Sequence, residues 1–240
     1  RGFVRDQAPI EAVRAQLETD TGFDFATWQT MVDMGWAGIA LPDTVGGAGM
    51  GVGSAVPVFE ALGAGLLGTP LLSTTLAGQL IWRAAGESAA GWLGRLCSGS
   101  VGTIAYLDGG DWGAANLGVT LGAGDTLSGS KSFVADAGVA DCFAVVASEG
   151  GEPVLAMVER SAVADGALSE NVLIDLTKRA ANVDFTGVTP SQVFRGDAIA
   201  AALRDTMLIG ALLTAAETTG AAGKCLNSIT EYLKTRKQFG

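Results

Sequence analysis

The densest set of side chains able to bind an anion is the string Glu231-Tyr232-Leu233-Lys234-Thr235-Arg236-Lys237-Gln238-Phe239-Gly240. Three cations gathered at the end of a helical pattern favour the negative end of the helix dipole, and structure alone accounts for such a cluster. Arg236 is in addition a rigid, permanently charged fork matched to phosphate oxygens, with the Gln238 amide two residues on and an aromatic ring at Phe239. A second place to look is the glycine-rich turn over 45–53. It fits neither G-x-G-x-x-G nor G-x-x-x-x-G-K-[ST], and no parallel-sheet pattern surrounds it, so it reads as a tight interhelical loop. Asp108, Asp111 and Asp125 lack the spacing of a calcium loop and read as solvated turn carboxylates; no metal site is expected. The chain contains no histidine, which removes Ser-His-Asp and Cys-His catalysis and every His-ligated metal from these residues. Cys97, Cys142 and Cys225 form no C-x-x-C pair, so neither a zinc site nor a disulfide framework is indicated. Each is expected to be a small buried hydrophobe in a reducing cytoplasm.

These groups need a scaffold, and the composition supplies one. With 240 residues, 48% hydrophobic and only 17% charged, the chain has ample material for a packed core. Its 15 Lys and Arg against 25 Asp and Glu leave a formal charge of -10, which argues against nucleic acid as a partner. No charged segment followed by an apolar run opens the chain, so no signal peptide is expected. An uncharged run over 61–82 approaches the length of a membrane span, but Gly63, Gly65, Gly68, Pro70 and several hydroxyl residues interrupt it. It predicts a buried helix, a turn and a second buried helix. The expectation is a soluble, cytoplasmic protein without a membrane span. The chain starts at Arg1 rather than Met and stops inside a charged motif at Gly240, so both ends read as cut.

Residues 1–98 read as helical. Ile10, Val13 and Leu17 recur at spacings of three and four, Phe25, Trp28, Met31 and Val32 repeat the pattern, and Gly35 follows as a cap. Further helices are expected over 52–65, 73–85 and 87–97. From about residue 100 the period shortens: 103–107, 126–134, 141–148 and 153–159 are apolar runs separated by Gly, Asp and Ser, and Ala181, Val183 and Phe185 alternate with polar residues. The pattern turns helical again after Gly196, with no proline from 199 to 237 and Leu203, Met207, Leu208 and Leu212 in helical spacing. A helix of that length, roughly 58 Å, needs packing partners from further sequence or other subunits. The fold class is therefore α+β and multidomain. An all-helical domain over 1–98 precedes a small antiparallel β domain over 99–195, and the first helix of a C-terminal helical bundle begins at 196.

The C-terminal string closely resembles the Arg-x-Gln-Phe-Gly signature of the acyl-CoA dehydrogenase family. Met34-Gly35-Trp36-Ala37-Gly38-Ile39-Ala40-Leu41-Pro42 with Gly46-Gly47-Ala48-Gly49, and then Glu60-Ala61-Leu62-Gly63, are similar to its N-terminal signature. Leu127-Ser128-Gly129-Ser130-Lys131-Ser132-Phe133-Val134, followed by Ala140-Asp141, resembles its central β motif. Ala215-Ala216-Glu217 and Gly220 fit its first C-terminal helix, so the likeness runs through all 240 residues in order.

The resemblance implies an FAD enzyme that oxidises the Cα–Cβ bond of an acyl-CoA thioester to the enoyl-CoA, a carboxylate taking the α-proton and the flavin the β-hydride. It implies FAD bound between subunits, with Arg236 and Gln238 reaching the pyrophosphate and adenosine end of a neighbour's cofactor, Phe239 packing in support, and Phe133 and Ala135 at the flavin ring. An electron-transfer flavoprotein is the implied acceptor. The departures carry as much information. Where the family has a Thr-Glu-Pro run and a Gly-Ser, this chain has Ala105-Tyr106-Leu107-Asp108-Gly109-Gly110-Asp111-Trp112, and where it has Trp-Ile-Thr or Trp-Ile-Ser, this chain has Phe133-Val134-Ala135. Two polar contacts to the ring are missing, each worth about 1 kcal/mol or more. The base also has no candidate: the position that carries it in a minority of relatives is Gly210, Asp205 is more than a turn away, and Glu217 reads as a packing or surface acid. It is expected beyond Gly240 or in a partner. Two readings follow: a homo-oligomeric dehydrogenase, or one subunit of a heteromeric steroid or acyl-CoA dehydrogenase that lends Arg236 and Gln238 to an FAD held mainly by another subunit. The alternatives are a non-catalytic structural subunit and a flavin-dependent hydroxylase of the same fold.

Overall fold

The computed structural model describes residues 2–109 and 118–239. Asp111 and Trp112 of the departing motif, and Gly240, lie outside them. Helices α1 (Gly2–Gln7), α2 (Ile10–Leu17), α3 (Phe25–Asp33), α4 (Val56–Gly65), α5 (Leu71–Ala85) and α6 (Ala90–Cys97) come first. The uncharged run over 61–82 is a helix–turn–helix, since α4 ends at Gly65 and α5 begins at Leu71. Asp24 starts α3 as its N-cap, its carboxylate accepting from Thr27 N at 2.7 Å and Thr27 Oγ1 at 2.8 Å. Those bonds, the hydroxyl's first, hold its pKa below the ordinary carboxylate value, so the cap stabilises at neutral pH and fades as pH falls through the acid range. Asp24→Ala should cost about 1 kcal/mol in a thermal melt at pH 7 and less at pH 3.

Nine strands follow among the described residues: β1 (Gly102–Ala105), β2 (Thr120–Gly122), β3 (Thr126–Ser128), β4 (Ser130–Ala135), β5 (Cys142–Glu149), β6 (Glu152–Glu159), β7 (Leu168–Glu170), β8 (Ala180–Asp184) and β9 (Gln192–Phe194). Six make one sheet in the order β3-β2-β5-β6-β9, with β1 also pairing β5, and three make a second in the order β4-β8-β7. The β5 run Cys142-Phe143-Ala144-Val145-Val146-Ala147 is apolar at every position because both faces are covered. Cys142, Ala144 and Val146 face Leu80, Ile81, Leu93 and Leu96 of the helices, while Phe143, Val145 and Ala147 belong to the core that includes Val134, Val183 and Phe185 of the smaller sheet.

Three expectations are corrected here. The sheet is not wholly antiparallel: β1 and β2 pair with β5 in parallel, which the long connection from β1 to β5 permits. The run over 126–134 is two strands in different sheets, broken at Gly129, whose φ is +116° and where a Cβ would lie 2.7 Å from Gly118 O. Of the cysteines Cys142 is buried, and its thiol is pushed up to about 12 by desolvation; Cys97 is half-buried and Cys225 is exposed on the last helix, against the expectation of three buried thiols.

That helix, α7 (Ala198–Thr235), is a single 38-residue rod. By length and composition alone it would suffice to cross a membrane, but its first half packs against the protein through Ile199, Ala202, Thr206, Ile209, Leu213, Ala216 and Gly220. Its crossing with α4 is close because a glycine from each helix sits against the other's backbone. A Cβ on Gly63 would lie 1.8 Å from Glu217 O, and one on Gly220 1.8 Å from Glu60 O. After Gly220 no residue of α7 is buried, and Leu226, Ile229 and Leu233 are exposed.

Candidate functional site

The phosphate-suited groups stand at the free end of α7. Arg236 is the C-cap residue, with extended backbone, and its Nη1 donates to Tyr232 Oη at 2.7 Å while the guanidinium carbon lies 5.4 Å from that ring's centre. The helix supplies this contact for free, since residues four apart share a face. Gln238 and Phe239 follow in fully open surroundings, Phe239 with φ +61°. A guanidinium, an amide and an unburied ring presented together to solvent match the needs of a diphosphate with an attached aromatic group.

The other residues assigned to the flavin, Phe133 and Ala135, lie at the end of β4. Phe133 has φ +52° and is 44% exposed. The surrounding main chain is already engaged. Phe133 N donates to Asn182 Oδ1 at 3.2 Å, Ser132 N to Leu107 O at 2.8 Å, and Asp136 N to Arg179 O at 3.0 Å. Thr103, the nearby hydroxyl that could stand in for a missing donor, gives its proton to Ala135 O at 2.6 Å. At position 135 itself there is only a methyl group. Among the described residues, the β4 end offers apolar packing, and its amides at 132, 133 and 136 are satisfied within the chain. The C-terminal donor set therefore fits the phosphate portion of FAD, and the β4 end fits its ring only by contact.

Asp108 is not a solvated turn acid. It pairs with the fully buried Lys131 at 2.7 Å, and the same ammonium donates to Tyr106 O at 3.2 Å. Desolvation lowers the Lys131 pKa, and the Asp108 hydrogen bond opposes it. The pair fastens β4 to residues 106–108. A lysine one step from a strand start gives no sign in sequence of such burial. Asp125 does behave as a surface acid, paired with Arg195 at 3.1 Å. Among the described residues no cluster of metal-ligating side chains occurs.

Gly210, where a carboxylate would be sought, has Leu76 of α5 against it: a Cβ there would meet Leu76 Cδ1 at 3.3 Å. Asp205 is on the surface with Arg83 at 3.3 Å, and Glu217 is held by Lys178 Nζ at 2.5 Å. None of the three is a free base.

A helical N-terminal unit, a two-sheet β unit and a long helix that carries an Arg-x-Gln end away from them make an arrangement shared with solved acyl-CoA dehydrogenases. Residues 1–100 match the model of the acyl-CoA dehydrogenase N-terminal domain. Over 240 residues it is 31% identical to the acyl-CoA dehydrogenase IpdE2 of Mycolicibacterium smegmatis, covering 99% of this chain and 63% of that protein. Two solved structures share the fold across the whole of it. A Tcur3481-Tcur3483 steroid acyl-CoA dehydrogenase variant gives a TM-score of 0.85 at 28% identity, covering 100% of this chain and 65% of that one. The ChsE4-ChsE5 complex from Mycobacterium tuberculosis gives 0.79 at 25% identity, covering 99% and 65%. The chain thus spans somewhat under two thirds of the length of these relatives.

Proposed function

We propose that this chain is part of an FAD-dependent acyl-CoA dehydrogenase and serves as the subunit that lends Arg236 and Gln238 to a flavin held mainly by a partner of the same family. One observation carries the reading: the phosphate-suited pair is intact and open to solvent, while at β4 the hydroxyl is absent and the neighbouring amides are bonded internally. Losing one half of a site that two chains share does not require losing the other. FAD, when bound, accepts a hydride from the acyl-CoA β-carbon. This chain's residues would grip its phosphates and screen one side from water, and the base would come from sequence after Gly240 or from the partner. IpdE2 supports an acyl-CoA substrate, and the steroid enzyme and the ChsE4-ChsE5 complex support a steroid-derived acyl group and a two-component assembly. An electron-transfer flavoprotein is the proposed acceptor and the cytoplasm the proposed location.

The test is FAD per chain for the full-length protein, purified alone and co-expressed with a neighbouring family member. The expected result is no flavin alone and one per pair. One flavin per chain alone would establish an ordinary homo-oligomer instead.

A further inference from the structure

Four polar side chains from four segments meet where α5, the smaller sheet and α7 come together. Ser73 Oγ of α5 donates to Asp136 Oδ2 at 2.6 Å. Asp136 directly follows β4 with φ +53°, and its N–H donates to Arg179 O, which fixes it to the start of β8. Lys178, one residue before Arg179, reaches across to Glu217 of α7 at 2.5 Å. The charges acting on Asp136 are Lys178 and Arg179, which favour its ionised form, and Glu217, which favours the neutral one. A cavity of about 270 Å³ beside it is also lined by Asp20, Arg160, Asp165 and Glu170. Arg160 is committed to Asp165 and Val163 O, and Arg179 spreads its guanidinium over the carbonyls of Leu17, Thr19 and Leu176. Lys178 is bonded to Glu217 and also acts on Asp136, so both carboxylates draw on one ammonium.

We propose that Ser73, Asp136, Lys178 and Glu217 form a proton-operated clasp that fastens α7 to α5 and the smaller sheet, closing when Asp136 takes up a proton. With Asp136 ionised, two carboxylates compete for one ammonium and a desolvated negative charge opposes closure. With Asp136 neutral, Lys178 serves Glu217 alone, and the carboxyl keeps its bond from Ser73. Desolvation, the largest influence, raises the Asp136 carboxyl to about 6. Because this value lies above the ordinary 3.8, the folded chain holds the proton more tightly than the unfolded one. The contribution to stability is therefore full below about pH 4 and is lost as pH rises through about 6. The sign is opposite to that of Asp24, and the clasp needs no cofactor.

Hydrogen exchange on the intact full-length protein at pH 5.5 and 7.5, corrected for intrinsic rates, tests this. Protection over residues 73–80 and 210–220 should fall about fourfold from pH 5.5 to 7.5. Asp136→Asn, neutral at both values and still able to accept from Ser73, should keep the low-pH protection at pH 7.5. Glu217→Gln removes the like charge while leaving an acceptor for Lys178, so its transition should move to lower pH. An Asp136→Asn protein that loses protection with pH as the wild type does would overturn the clasp, as would a Glu217→Gln transition that stays where it was.

Discussion

Gly220→Ala is expected to unseat α7 from α4 and lower the stability of the protein by about 3 kcal/mol or more. The added methyl would stand 1.8 Å from Glu60 O and 3.0 Å from Ala64 N, which are backbone atoms within a helix and cannot rotate away. The helices would have to separate, and the apolar seam of Leu213, Ala216, Ala61 and Leu62 would open with them. For a chain of this size the loss corresponds to a fall in Tm of roughly 6–12 °C. Gly223→Ala, one turn further on, supplies the contrast. Nothing lies within 4 Å of a Cβ there, so the better helix former should be neutral or stabilise by up to about 1 kcal/mol. Equal melts for the two variants would mean that α4 and α7 do not cross in backbone contact at Gly220. Gly63→Ala, whose methyl would meet Glu217 O, should reproduce the Gly220 result.

The crossing also shows what the sequence concealed. Glu60-Ala61-Leu62-Gly63 and Glu217-Thr218-Thr219-Gly220 share the spacing Glu-x-x-Gly, but only the folded chain shows that each glycine faces the other segment's glutamate carbonyl. Features encoded by local period were legible: the amphipathic repeats of α2 and α3, the helix–turn–helix over 61–82, and the proline-free rod of α7. Features fixed by contacts distant in sequence were not. The break at Gly129 depends on where Gly118 O passes, the Asp108–Lys131 pair forms across 23 residues, and Ser73 meets Asp136 across 63. At the candidate site, the proposal for Arg236 and Gln238 rests on chemistry that their own side chains display. The closure of the β4 amides was not legible, because Asn182, Leu107 and Arg179 reach them from elsewhere in the fold.

The length of α7 keeps Gly210 and Arg236 far apart. Gly210 and Arg236 are 26 positions apart (236 minus 210) on what is essentially one helix, roughly 39 Å at 1.5 Å per residue. Leu76 covers the first, and open solvent surrounds the second. On the proposed reading, Arg236 would serve a cofactor site other than the one beside Gly210 of its own chain. The proposed sharing would let an Arg-x-Gln end and a β4 end with only a methyl group at Ala135 occur in one chain, because each would serve a different bound molecule.

Arg236→Ala is the substitution on which the proposed function stands most directly. The side chain makes no contact that the fold needs; its partner is Tyr232, one turn back on the same exposed surface. Melting of the protein should therefore change by less than about 0.5 kcal/mol. If Arg236 grips a phosphate, the same change removes a charge-assisted, two-pronged contact worth roughly 1.5–3 kcal/mol, or about ten- to a hundredfold in FAD affinity of the assembled enzyme. Arg236→Lys keeps the charge but not the fork, so it should fall between the two. Flavin absorbance after gel filtration of the co-expressed pair reads occupancy, and fluorescence quenching during FAD titration reads affinity. Unchanged values in Arg236→Ala would leave the cluster at the end of α7 with the helix dipole as its whole explanation.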